Sequence, residues 1–239
     1  MPQTATEATI SSRRHVFFIT GTDTGVGKSR VAASLLAAAR RRELSTAALK
    51  PVASGCEEVA GQLRNEDALL LQQYCSVELG YEQINPVALR AAVAPHLAAA
   101  MEGRQLSVQR LAGYSRALLT ERADFTVVEG AGGWRVPLNR GEMLSDLPRE
   151  LQWPVILVVG VRLGCINHAV LTAEAIVRDG LPLAGWVANH LGASDAIARQ
   201  NIETLRHLLP APCLGELPWQ PEDTPAECAG YLDIDALLS

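Results

Sequence analysis

The stretch VFFITGTDTGVGKSRVAASLLAAARRR, Val16 to Arg42, decides the fold class. Val16 to Thr20 are mostly aromatic and β-branched and read as a buried strand, and GTDTGVGKS, Gly21 to Ser29, is a glycine-rich turn. From Lys28 to Arg42 apolar residues recur three and four apart, the spacing of a helix with one buried stripe. A strand that runs into a glycine loop and then a helix is the setting of a phosphate-binding loop. Backbone N–H groups and the positive end of the helix dipole converge there, Lys28 adds a full charge, and the Ser29 hydroxyl can reach a magnesium ion. Gly25 and Gly27 permit close backbone approach. The spacing departs from the strict GxxxxGK(S/T) pattern, since Thr22 stands where the first glycine belongs and Gly21 comes one residue earlier.

Outward from this unit the same alternation continues. Thr46 to Lys50, Phe125 to Glu129, Val155 to Val159, Leu183 to Val187 and Cys213 to Leu217 are short apolar runs, as strands covered on both faces must be. Ser107 to Arg122, Asn167 to Asp179 and Ala196 to Leu208 carry helical spacing between them. The pattern predicts an α/β fold: a single-domain, doubly wound, mostly parallel sheet of the P-loop NTPase kind over residues 15–239. Residues 1–14, rich in Thr, Ser and Ala, read as a disordered N-terminal extension without the apolar run of a secretory signal. Ala53 to Arg104 is an irregular insertion with helical pieces at Glu66 to Tyr74 and Pro95 to Glu102.

With 239 residues and 48% hydrophobic composition, the chain can bury one substantial core. A net charge of -5 with scattered basic residues gives no nucleic-acid or membrane surface; the triplet Arg40 to Arg42 reads as a solvated helix end. Five cysteines without CxxC or Cys/His metal spacing, an odd number that argues against a secreted disulfide framework, fit a reducing cytoplasm.

In open α/β sheets ligands bind beyond the carboxyl ends of the strands. Glu129 ends a strand there and is followed by small residues, Gly130, Ala131 and Gly132, the place of a magnesium ligand. A second acid is expected; Asp67 is the leading candidate and Glu66 its competitor, and Asp67 could instead serve the first turn of a helix. Lys50 ends the second strand, stopped by Pro51, and two lysines beside one phosphate site point to a reaction among several anionic oxygens, with Ser54 close enough to join. A nicotinamide site is disfavoured, because GxGxxG is absent and Lys50 stands where an acidic residue would follow the second strand. His15, His168, His190 and His207 read as surface or capping residues, and His96 is a candidate for the substrate border.

GTDTGVGKS, KPVASG, RNEDALLLQ, APH, VEGAGGW, PVILVVGVRLGCINHAVLTA, LAGWVANH and GELPW occur in one order, and on these motifs the chain resembles the dethiobiotin synthetases over almost everything after Arg14. The resemblance implies a cyclo-ligase that joins CO₂ to 7,8-diaminononanoate with MgATP, through a carbamate and a carbamic-phosphoric anhydride. It implies Lys50 and Lys28 as catalytic groups, with Ser29, Asp67 and Glu129 holding Mg²⁺. The nucleotide would be held by Gly25, Val26, Gly27, Lys28, Ser29, Arg30, Asp67, Glu129, Gly130 to Gly132, Asn189 after the fifth strand, His190, Pro218, Trp219 and Gln220. Read alone, Trp219 would sit in the core. Ser54 and the loop Gly164, Cys165, Ile166 and Asn167 would hold the substrate, the loop reaching across a homodimer to the partner's substrate carboxylate. Asn201 falls where some relatives carry a tyrosine for that carboxylate, and Gly25 where some carry an acid.

The alternative is a nucleotide-switch ATPase of the partitioning type. Such proteins carry an extra lysine early in the loop, where Asp23 and Thr24 stand, and a membrane-binding one needs a basic amphipathic tail, whereas Tyr231 to Ser239 is acidic. A glutamine-dependent ligase of the same superfamily needs a further domain that this length excludes.

Overall fold

The computed structural model describes residues 14–220 and 222–238. The expected N-terminal extension therefore lies outside the described residues, apart from Arg14.

The chain opens with β1 (His15–Gly21), the loop and α1 (Lys28–Arg40), followed by β2 (Thr46–Leu49). The insertion holds β3 (Glu57–Val59) and β4 (Gln62–Arg64), then α2 (Glu66–Tyr74), α3 (Tyr81–Ile84) and α4 (Pro95–Met101). Next come α5 (Val108–Leu118), β5 (Phe125–Glu129), α6 (Asp146–Leu151), β6 (Val155–Val161), α7 (Cys165–Arg178) and β7 (Leu183–His190). The chain closes with α8 (Ala196–Leu208), β8 (Cys213–Leu217), α9 (Pro225–Cys228) and α10 (Asp235–Leu238).

The main sheet runs β2-β5-β1-β6-β7-β8, every pairing in it parallel. Alternate residues of each strand feed two cores, as a two-residue side-chain period requires. Phe17, Ile19, Ile156 and Val158 pack with Val31 and Leu35 of α1, while Phe18, Val155, Leu157 and Val159 pack with α5 and α7. Central β1 lies between β5 and β6, so chain leaving β5 crosses to its other side. That reversal brings the ends of these strands around one crevice.

Several helix starts are settled locally. Asn65 caps α2, Ser107 caps α5 and Asp195 caps α8 with side-chain oxygens on backbone N–H groups, contributions of about 1 kcal/mol each. The N-termini of α1 and α7 differ: glycines, Gly27 and Gly164, occupy the cap in left-handed conformation and no side chain bonds the first amides. The first amides of α1 stay free for an anion, whereas at α7 Cys165 N donates to the Arg162 carbonyl at 3.0 Å and only the amides after it are left.

The loop after β5 is tied to the far end of α7. Trp134 Nε1 donates to Asp179 Oδ2 at 2.8 Å, and Arg135 donates to both Asp179 oxygens at 2.6 and 2.8 Å. Burial would raise the Asp179 carboxyl, but bonds from Arg135 and Trp134 outweigh it and hold the pKa below the ordinary value. A carboxyl depressed in this way adds stability that is present above its unfolded pKa and lost as pH falls through the folded one. Asp179→Asn is expected to cost about 1–2 kcal/mol at neutral pH, discounted for solvent around Arg135. In urea unfolding the gap from the unaltered chain should close below the ordinary pKa of 3.8; a gap independent of pH would assign the loss to packing.

The differences from expectation are local. β7 continues to His190, because Asn189 and His190 are buried and still paired to β6 and β8 or β6 alone. Asn189 is therefore within the strand, and His190 is neither a surface nor a capping residue. α7 starts at Cys165 instead of Asn167, and the insertion contains the antiparallel β3–β4 hairpin as well as helices. All five cysteines are free, and no helix among the described residues is long and apolar enough to cross a membrane.

Candidate active site

At the carboxyl end of β1 the loop closes over a cavity of about 460 Å³. It is lined by Gly25, Gly27, Lys28, Ser29 and Arg30 from the loop and α1, Lys50 and Ser54 after β2, Asp67 from α2, and Glu129, Ala131 and Gly132 after β5. Residues far apart in sequence meet here because each follows a strand of one parallel sheet or belongs to the insertion folded over its edge.

Lys50 sits between two carboxylates. Its Nζ donates to Glu129 Oε1 at 2.5 Å and to Asp67 Oδ2 at 2.8 Å, and Ser29 Oγ donates to the same Glu129 oxygen at 2.8 Å. Glu129 is 0% exposed and Lys50 3%. Burial pulls the Lys50 ammonium down, but Glu129 and Asp67 outweigh it and hold the pKa above the usual lysine value. Burial lifts the Glu129 carboxyl against the pull of Lys50, whereas Asp67, less enclosed, is brought below its usual value because Lys50 overrides burial. Lys28 is lowered, chiefly by burial, with Glu129 offsetting part of it; its Nζ donates to the Asp23 carbonyl at 3.1 Å.

Of the two candidate acids, Asp67 faces the cavity and Glu66 does not. Successive residues on a helix point about 100° apart, so when Asp67 turns to Lys50 its neighbour faces outward, and Glu66 is exposed. Glu129 Oε2 is buried without a hydrogen-bond partner. A hydroxyl, two carboxylates and an unsatisfied carboxylate oxygen suit a hard cation that takes its remaining ligands from phosphate and water. Among the described residues no group of three or more His, Cys, Asp or Glu could hold a metal ion.

Asn189 and the segment Pro218–Gln220 lie next to the loop and outside the cavity lining. Asn189 Nδ2 donates to the Val26 carbonyl at 2.9 Å, and its buried Oδ1 has no partner. Arg30 donates to the carbonyls of Pro218 and Gln220, and Trp219 is 49% exposed, which rules out the core position expected of it alone. Gly130 packs against Phe18 and does not line the cavity. Gly164 to Asn167 are absent from the lining too: Gly164 and Asn167 are exposed at the start of α7, with Cys165 buried beneath. Arg162, just before them, donates to Asp23 Oδ2 at 2.6 Å, a link between the two loops that the sequence did not signal. His96 and Asn201 line separate grooves.

A family model described as an AAA domain matches residues 15–227. Among solved structures, the septum site-determining protein MinD of Pyrococcus horikoshii, complexed with Mg-ADP, has a TM-score of 0.55 at 17% identity, covering 94% of this chain and 88% of that one. A ParA family ATPase from Chlorobium tepidum reaches 0.53 at 14% identity, with 92% of each chain covered. At such identities these likenesses establish the fold alone. Sequence relatives go further. The ATP-dependent dethiobiotin synthetase BioD of Pseudomonas aeruginosa is 59% identical over 92% of this chain and 97% of its own length. The protein of that name from Cellvibrio japonicus is 56% identical over 94% and 98%. Likeness of this extent, end to end in both chains, leaves room for only one assignment, and the chain belongs to the dethiobiotin synthetase family.

Proposed function

We propose that this chain forms dethiobiotin from 7,8-diaminononanoate, CO₂ and ATP with release of ADP and phosphate, as a cytoplasmic cyclo-ligase whose working unit is residues 15–239. The observation that carries it is the Lys50 ammonium beside Asp67, Glu129 and Ser29 at the mouth of the phosphate loop.

One amine of the substrate adds to CO₂ and loses a proton, giving a carbamate. A carbamate oxygen attacks the γ-phosphorus and ADP leaves; the second amine then attacks the carbamate carbon, phosphate leaves, and the cyclic urea closes. Lys50, Lys28 and Ser54 hold the carbamate and phosphate oxygens, and the loop amides cradle the rest of the triphosphate, so the protein works by positioning and electrostatics. Ser29, Asp67 and Glu129 would hold Mg²⁺, which when bound neutralises charge on the phosphate oxygens. Asn189 Oδ1, buried and unpartnered, suits the adenine amino group, with Pro218, Trp219 and Gln220 beside the base. The open N-terminus of α7, away from its own chain's cavity, suits the substrate carboxylate of a second subunit, which makes the working form a homodimer.

Purified protein given the diamine, bicarbonate and MgATP is expected to yield dethiobiotin and ADP together. ADP release that does not depend on the diamine would overturn the reading in favour of the switch ATPase, which otherwise retains only the shared fold.

A further inference from the structure

We propose that Arg30 is a positioning residue for the nucleotide base, coupling the phosphate loop to the segment Pro218–Gln220; this rests on the nucleotide assignment above. Arg30 follows Ser29 in the first turn of α1. Its Nη1 donates to the Pro218 carbonyl at 3.2 Å, and its Nη2 donates to the Gln220 carbonyl at 3.1 Å and approaches Cys228 Sγ at 3.1 Å. The guanidinium is planar and its donors stand in a fixed fork, so holding these acceptors together sets the tilt of the segment as well as its distance from the loop.

The segment has little else to hold it against α1. It leaves β8 as a turn, with Gln220 N donating to the Pro218 carbonyl at 3.0 Å, and Trp219 stands 49% exposed. Among the described residues, the hydrogen bonds joining Pro218–Gln220 to α1 come from Arg30. Cys228, buried in α9, gives the guanidinium a third anchor in the C-terminal region packed on α1.

A nucleotide spans both parts: phosphates on the loop amides at the start of α1, base against the tethered turn. If the tether goes, the turn moves relative to the loop, and the base loses its fit while the phosphates keep theirs. Arg30 therefore governs the affinity of ligands that have a base and leaves base-free polyphosphate unaffected. Lysine in its place has one ammonium where the guanidinium has a fork, and can hold only part of the arrangement.

The test uses the full chain with Arg30→Met and Arg30→Lys, and two probes, ADP and inorganic tripolyphosphate, each titrated with Mg²⁺ present; KM for ATP and kcat are measured alongside. Arg30→Met should weaken ADP binding and raise KM for ATP by about tenfold, the loss expected for hydrogen bonds from a charged donor. Tripolyphosphate affinity should change by less than about twofold, since the loop amides and Lys28 that face its phosphates are unaltered. Arg30→Lys should fall between, and it carries the same comparison if Arg30→Met does not fold. Equal losses on both probes, or undiminished ADP affinity, would overturn the role of Arg30. If the unaltered chain binds neither probe, the nucleotide assignment itself fails, a result distinct from either.

Discussion

Lys50→Gln should reduce turnover by about 10²- to 10³-fold while changing ADP affinity by less than about threefold. The ammonium lies 2.5 Å from Glu129 and 2.8 Å from Asp67, on the side of the cavity formed after β2 and β5, whereas on the proposed reading ADP rests on the loop amides and Lys28. Glutamine retains much of the length but carries no charge for anionic oxygens. It also leaves Glu129 fully buried without its cation, a change that in comparable buried pairs costs about 3–5 kcal/mol. Single-turnover kinetics, calorimetric titration with ADP and urea unfolding separate these effects. Part of the lost stability should return with Mg²⁺, which would supply positive charge to the same carboxylates. If ADP affinity falls as far as turnover does, Lys50 is a nucleotide ligand and its assignment to the carbamate is wrong.

Gly27→Ala should weaken nucleotide binding by about 100-fold, the equivalent of roughly 3 kcal/mol. Gly27 has φ +86°, where a Cβ costs about 1–2 kcal/mol, and the added methyl would overlap Asn189 Nδ2. That amide cannot simply move aside, because it is buried and bonded to the Val26 carbonyl at 2.9 Å. Gly25 provides the comparison: its φ is +73°, but an added Cβ meets nothing within 4 Å. Gly25→Ala should therefore show strain alone and lose about tenfold. ADP titration of both variants decides the matter, and equal losses would mean that the contact with Asn189 plays no part.

The strand ends show how far local pattern reaches. Phe125–Glu129 begins and ends where the sequence placed it, since a strand covered on both faces stays apolar until the sheet's carboxyl edge; Cys213–Leu217 keeps its bounds too, although it is an edge strand with Glu216 half-exposed. β7 outruns its apolar stretch because Asn189 is buried against the loop from β1, a neighbour 163 residues earlier. The β3–β4 hairpin was legible in principle: EEV and QLR flank Ala60-Gly61, both at positive φ, but its short strands carry charged, exposed residues that do not read as strand.

The sequence by itself determined the fold class, the phosphate loop and the presence of lysine and carboxylate at particular strand ends, because those depend on short-range periodicity and on turn chemistry. It could not choose between Asp67 and Glu66, adjacent on one helix, until the direction of α2 over the cavity was known. Nor could it join Arg30 to Pro218, 188 residues away, or Arg162 to Asp23, 139 residues apart. Those contacts belong to the order β2-β5-β1-β6-β7-β8. Only the folded sheet brings the ends of distant strands within hydrogen-bond reach.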